Sequence, residues 1–418
     1  MKKLLTIGLA AAMMFAMAGK ASATPLETSG ELRARYWALG NYFESGKSAE
    51  FWDSRLRLSM VWPVAEGVKV TARADINEGF WGDQMVSSST TAGVTTYKLR
   101  ENTKKAVDWD QLNLSFAWPN SPITIIVGRQ TTTFGPGFFV AQDNRDRFRI
   151  NAKFGDTTAF YTYDKYAEVV NLHDTAGLDD WFQHTIGAVS TVAGWNVGAI
   201  VAYIGNDTTQ GVNKSRWAVD GYGMGKAGPV DVKSEIVYGV GTDDYANKAD
   251  VDVSGLGVYV GATMPAGPVT VGFEGAYVSG DDPKTAKNEG AFASDYQSPF
   301  WSIILFNSFD YNGFHNESIT GPAPADSGMK NAWGAKATVS APLMPGLTLY
   351  GAAVYAARLE DVGKQKADPL GTEFDVWANY AITPNVSWLV AVGYLVAGDF
   401  YGEVDNPVGV MSAFSVKF

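Results

Sequence analysis

From Asp53 to Trp62 the sequence reads DSRLRLSMVW, with Arg55, Arg57 and Ser59 at every second position and Leu56, Leu58 and Met60 between them. Side chains of a strand alternate between its two faces, so this segment separates a basic surface from an apolar one. The pattern recurs along the chain. VKVTARAD sets Val68, Val70, Ala72 and Ala74 against Lys69, Thr71, Arg73 and Asp75. RFRINAKF sets Phe148, Ile150, Ala152 and Phe154 against Arg147, Arg149, Asn151 and Lys153. NVSWLVAVGYLV and ITIIVGR are apolar enough on both faces to suit a buried sheet as well. A soluble sheet would turn its apolar face to a core and its arginines to bulk water. A membrane barrel inverts this, apolar outward to lipid and polar inward to a wet lumen.

The connections decide between the two. One kind is short and rich in Pro and Gly: WPVAEG at 62–67, WPNSP at 118–122, FGDT at 154–157, AGW at 193–195, AGP at 227–229, MPAGP at 264–268, PLMPG at 342–346 and TPN at 383–385. These residues supply the fixed or positive φ that tight turns need. The other kind is longer and polar, at 81–106, 167–180, 206–214, 242–252, 281–329 and 398–407. Short turns at one rim and long loops at the other is the outer-membrane arrangement. Eight short turns imply nine hairpins and 18 strands, with 16 the alternative if segments near 157–192 merge. Trp and Tyr near strand ends, among them Trp52, Trp62, Trp118, Trp217, Trp333 and Tyr380, suit the aromatic belts of two membrane interfaces.

Residues 1–23 carry Lys2 and Lys3, an apolar run from Leu4 to about Ala18, and Ala21-Ser22-Ala23 before Thr24. They read as a secretory signal peptide with cleavage before Thr24, leaving 24–418 as one barrel domain. No later stretch reaches the roughly 18 consecutive apolar residues of a spanning helix, so insertion would need a closed barrel. Removing 23 residues from 418 leaves 395, and losing three lysines takes the net charge from −11 to −14. An acidic balance of that size argues against nucleic acid as a partner. The chain has no cysteine, hence no disulfide frame, thiolate metal site or cysteine nucleophile.

The signal peptide, the alternating strands, the turn-and-loop rhythm and the ending GVMSAFSVKF resemble the trimeric outer-membrane porins of Gram-negative bacteria, the homotrimeric porin family. That resemblance implies an all-β transmembrane antiparallel up-and-down barrel in outer-membrane lipid, reached by export. It also implies self-association as a homotrimer, and a terminal signature of Phe414, Val416 and Phe418 read by the barrel-assembly machinery. It further implies a pore-lining basic ladder, matched here by Arg33, Arg35, Arg55, Arg57, Lys69, Arg73, Arg147 and Arg149. A constriction loop after the fifth strand matches QTTTFGPGFFVAQDNRDR at 130–147, with Phe134, Phe138, Phe139, Asp143, Arg145 and Asp146. The implied activity is passive diffusion of small hydrophilic solutes and ions, with no cofactor. A substrate-specific, sugar-porin-like channel is the alternative, drawing on Tyr296, Phe300, Trp301, Phe306, Phe309, Tyr311 and Phe314 for a ring-stacking path.

Other chemistry is sparse. Only His173, His184 and His315 are available, and none pairs at metal-ligand spacing. His184 shares a face with Phe182 and Ile186, the outward geometry that a barrel lipid hydrolase would use, yet no serine pattern accompanies it. The loop TDDYANKADVD, with Asp243, Asp244, Asp250 and Asp252, is a candidate for calcium bridging but lacks the EF-loop spacing. On the ladder side, nine cations (Arg33, Arg35, Arg55, Arg57, Arg73, Arg147, Arg149, Lys69 and Lys153) face Glu31, Asp75, Asp143 and Asp146. Beside a nearly balanced far wall, that excess of five predicts a weak anion preference despite the acidic total.

Overall fold

The computed structural model describes residues 25–41, 46, 48–81, 84–91, 94–101, 107–141, 143–167, 180–290, 299–300, 302–306, 329–361 and 367–418, with the backbone alone over 84–101. The signal peptide, His173 and His315 lie outside this set, as do Tyr296, Trp301, Phe309, Tyr311 and Phe314.

The strands are β1 (Glu27–Gly40), β2 (Ser48–Ala65), β3 (Val68–Phe80), β4 (Gln84–Thr91), β5 (Val94–Glu101), β6 (Val107–Ala117), β7 (Ile123–Thr132), β8 (Asp143–Phe154), β9 (Thr157–Ala167) and β10 (Trp181–Val192). They continue with β11 (Trp195–Thr209), β12 (Val212–Ala227), β13 (Val230–Tyr245), β14 (Val251–Ala266), β15 (Val269–Val278), β16 (Ala332–Met344), β17 (Leu347–Arg358), β18 (Pro369–Thr383), β19 (Val386–Ala397) and β20 (Val408–Lys417). Eighteen of these form one antiparallel sheet in chain order, while β4 and β5 make a separate ribbon inside the long connection at 81–106.

The sheet closes because β1 pairs with both β2 and β20. At the seam the backbone of Gly30 donates to the Phe418 carbonyl at 2.7 Å, and Phe418 donates back at 3.1 Å. Closure leaves no open edge, the condition for a sheet to sit in hydrocarbon. The 16-strand alternative is excluded: β9 and β10 are distinct, full-length strands.

All eight short turns stand where Pro and Gly placed them. Gly67 at φ +72° and Gly346 at φ +81° sit in the left-handed region, where a side chain would be strained. Two expected loops are shorter than the sequence implied. Only Gln210 and Gly211 separate β11 from β12, and only residues 246–250 separate β13 from β14. Strands there continue above the apolar band, so polarity marks emergence from lipid and not the end of hydrogen bonding.

The alternation sorts the two faces as the inverted pattern requires. Val219, Ile236, Tyr238, Phe374 and Val376 are each more than half exposed on the outside. Aromatics ring both ends: Trp52 stacks on Trp81 at 5.0 Å and Tyr203 meets Trp217 near the loops, while Phe116 meets Trp118 and Trp388 stacks on Phe414 near the turns. The buried apolar cluster lies inside the barrel, built from Trp37, Phe138, Tyr259, Phe300, Ile303, Ile304 and Leu395. A barrel of 18 strands is too wide for its wall side chains to fill. The cluster forms because two connections fold inward.

Candidate functional site

The first of these connections is 133–142, between β7 and β8, the fifth and sixth strands of the barrel. It crosses the lumen to the wall formed by β12, β13 and β14. Phe138 is fully buried and stacks on Tyr259 at 5.1 Å, and Phe134 meets the Tyr222 ring edge-on at 4.9 Å. Phe139 lies against Gly257, where a Cβ would fall 1.8 Å from its ring, so only glycine admits the ring there. The far wall then takes hold of the loop backbone. Glu235, 2 % exposed, accepts the N–H of Phe138 at 2.9 Å and that of Phe139 at 3.4 Å. A buried carboxyl group accepting two backbone donors clasps the loop to the wall.

The boundaries of this loop differ from the sequence reading of 130–147. Asp143, Arg145 and Asp146 belong to β8, because the alternation of RFRINAKF extends upward to Asp143. Asp146 also leaves the lumen. It has the parity of Phe148, not of Arg147, and its largely exposed carboxylate pairs with Arg129 across the outer face at 3.3 Å. Asp143 remains on the inner side, 2.5 Å from Arg145.

A second connection, 299–306, enters the lumen ahead of β16 and lands on β18. Here Glu373, fully buried, accepts from Ser302 Oγ at 2.7 Å, from Ile304 N–H at 2.6 Å and from Leu305 N–H at 2.7 Å. Asp375 takes the Ile303 N–H at 3.4 Å, and Ile303 packs over Gly393 and Gly409. Lys336, ion-paired with Glu274, donates to the Pro299 carbonyl at 3.2 Å. Phe300 and Phe306 from the aromatic segment are buried edge-to-face at 5.4 Å. They pack the insertion and do not face a path.

Neither clasp is legible in the sequence, where Glu235, Glu373 and Asp375 are simply inward charges of the nearly balanced far wall. The available signal was parity on β18, where Glu373 and Asp375 alternate with the apolar Phe374 and Val376 on a strand without other charge; on β13, Glu235 shares the parity of Asp231, Lys233 and Asp243, so nothing singles it out.

The arginine face lies on β1, β2, β3 and β8. Arg35 pairs with Asp53 at 2.9 Å, and the same carboxylate accepts from Trp37 Nε1. Arg55 reaches Glu31 and Asp75, and Arg57 bridges Asp75 at 2.6 Å and Asp110 at 2.9 Å. Arg73 shares Asp110 at 2.9 Å and donates to Thr131. Arg145 and Arg147 converge on fully buried Asp164, at 3.0 and 2.5 Å. Arg149 is held by Asn151 at 2.7 Å and lies over the Phe160 ring. Arg33 stands on the same face of β1, and Lys69 is exposed at the turn end of β3. The ladder residues are therefore gathered on one wall, but as a network.

Asp53, Asp108, Asp110 and Asp164 were missed on this wall. Asp53 opens the DSRLRL stretch with the parity of Arg55, so its place was legible. Asp110 was not, because a register shift between Arg73 and Ala74 brings it among the arginines.

Among the remaining candidates, Phe414, Val416 and Phe418 all project outward at the seam. His184 also points outward, with Tyr163 and Tyr203 directly across on its two neighbours and Tyr161 Oη 2.8 Å from Nδ1. It sits in an aromatic patch, without serine at those cross-strand positions. In the acidic segment Asp243 is taken by Arg216 at 2.9 Å and Asp250 accepts the Tyr245 N–H, so the four carboxylates are dispersed.

No family model matches the chain, and no curated protein does. Solved structures match over nearly its full length. OpdK of Pseudomonas aeruginosa with vanillate gives a TM-score of 0.56 at 11% identity, covering 94% of this chain and 98% of that one. OpdQ of the same organism gives 0.57 at 14% identity, with 94% and 98% covered. A BenF-like porin from Pseudomonas fluorescens Pf-5 gives 0.57 at 11% identity, with 95% and 100% covered. At such identities the likeness carries the architecture: the chain folds as a closed 18-stranded antiparallel β-barrel of the kind seen in these outer-membrane porins.

Proposed function

We propose that the protein is an outer-membrane porin, a water-filled channel through which small hydrophilic solutes and ions diffuse down their gradients. The observation that carries this is a lipid-type exterior around a lumen narrowed from within by two clasped loops beside a wall of charged side chains. Size exclusion then comes from the narrowed bore and ion preference from its fixed charge. Purified protein in planar bilayers should give discrete, ohmic conductance steps; bilayers that stay silent at saturating protein would refute the reading.

Export supports the same account. Cleavage before Thr24 should place Thr24 first in the mature protein. Deletion of Phe418 should lower the yield of heat-modifiable folded barrel several-fold, because the terminal residue supplies both hydrogen bonds of the seam to Gly30. N-terminal sequencing that returns Met1, or wild-type folding without Phe418, would contradict these expectations.

A homotrimer is part of the proposal. Strands β6 to β10 have 10 to 12 residues, against 15 or 16 for β11 to β14. On that low wall the outward Arg129–Asp146 pair follows soon after Ile123, Ile125 and Val127. Charge at lipid depth costs a few kcal/mol, and a neighbouring copy would relieve it. Unheated detergent gels and native mass measurement should give three times the monomer mass; a monomer alone would count against it.

A further inference from the structure

We propose that the channel wall beneath the 299–306 insertion is a binding subsite for a single uncharged sugar ring, an inference that rests on the channel reading and specifies its solute. A cavity of about 230 Å³ opens there on β14 to β18. That is below the usual 300 to 1,000 Å³ of drug-sized sites and suits one small ring. Two of its lining residues also hold the inserted segment, Lys336 through the Pro299 carbonyl and Asp375 through the Ile303 N–H.

The lining combines what a pyranose needs. Tyr350 and Trp377 face each other across β17 and β18 with rings parallel within 1° and centroids 5.0 Å apart, and both line the cavity. Such a pair offers a broad apolar surface to the C–H face of a ring. Thr263, Thr338 and Ser340 supply hydroxyls that both donate and accept, matching the equatorial hydroxyls of a sugar. The charge balance decides against an anion. Lys336, the lining's one cation, is neutralised by its ion pair with Glu274, so the cavity offers an anion no uncompensated positive charge.

The test is single-channel current in planar bilayers with D-glucose added to either side. The expected result is a reversible, saturating reduction of ion current, with the half-saturation concentration raised at least about tenfold in Trp377→Ala and in Ser340→Ala/Thr338→Val. Val376→Ala, on the outer face of the same strand, should leave half-saturation at the wild-type value. An open channel whose current falls only in proportion to bulk viscosity, or one blocked by benzoate and not by glucose, overturns the subsite while leaving the porin intact. Absence of any conductance overturns the porin reading instead.

Discussion

Glu373→Ala should convert a steady conductance into one that flickers between the wild-type level and a larger one. The carboxylate is fully buried and carries three hydrogen bonds to Ser302, Ile304 and Leu305. Hydrogen bonds to charged groups contribute about 1.5 to 3 kcal/mol each, so their loss removes at least about 4 kcal/mol of docking energy. At 1.4 kcal/mol per factor of ten, the docked-to-undocked ratio falls by roughly three orders of magnitude. The apolar contacts of Ile303 with Gly393 and Gly409 remain, which is why partial occupancy and not complete release is expected. Glu373→Gln should be milder, since a carbonyl oxygen in the place of Oε2 still accepts from Ser302 and Leu305 while the amide opposes only the Ile304 N–H. Glu235→Ala should act similarly but less strongly on the 133–142 loop, which keeps its Phe138–Tyr259 stack. Single-channel records check all three; a Glu373→Ala channel that folds with unaltered conductance and noise would show that the insertion is held by packing alone.

What the sequence disclosed and what it withheld divide along a physical line. Features local to one strand were readable: the eight turns from Pro and Gly, and the inward arginines from parity. The strand count followed from the turns, because an antiparallel meander needs no long-range information beyond its reversals. Features that depend on where two distant segments meet were not. Nothing in SIIL or FGPGFF announces that these segments will be received by Glu373 and Glu235, and an isolated inward acid has the same local pattern whether it faces water or a backbone amide. Asp146 counts inward as a member of the constriction loop that the resemblance implies, but that stretch is part of β8, where an odd step from Asp143 reverses the face. Asp110 illustrates the opposite failure, a bulge that overrides parity. The loops expected at 206–214 and 242–252 fell short for a third reason. Hydropathy senses the lipid boundary, whereas β11 to β14 keep pairing well beyond it.

These corrections reshape the expected ion selectivity. Adding Arg145, Asp53, Asp108, Asp110 and Asp164 to the ladder wall and removing Asp146 leaves ten cations against seven carboxylates among the described residues, an excess of three in place of five. Of the far-wall acids, Glu235 and Glu373 are spent on clasps and Glu274 on Lys336, while Asp243, outside that count, is taken by Arg216. Acids in the outer loops matter little, because at about 0.1 M salt the Debye length is roughly 10 Å. A weak anion preference is therefore still expected, and Arg149 is its most informative probe. Charge reversal at Arg55 and Arg57 would set new carboxylates against Asp75 and Asp110, and breaking buried pairs of that kind costs about 3 to 5 kcal/mol, so a selectivity change would be confounded with damage to the wall. Arg149 is held by an amide and an aromatic ring, both neutral. Arg149→Glu thus alters the lumen charge by two units without opposing a carboxylate in direct contact, and Arg149→Gln alters it by one. Zero-current potentials across a salt gradient should move toward cation preference in the order wild type, Arg149→Gln, Arg149→Glu. Clear cation preference in the wild type, or no displacement in Arg149→Glu, would mean that the arginine wall does not face the conducting path.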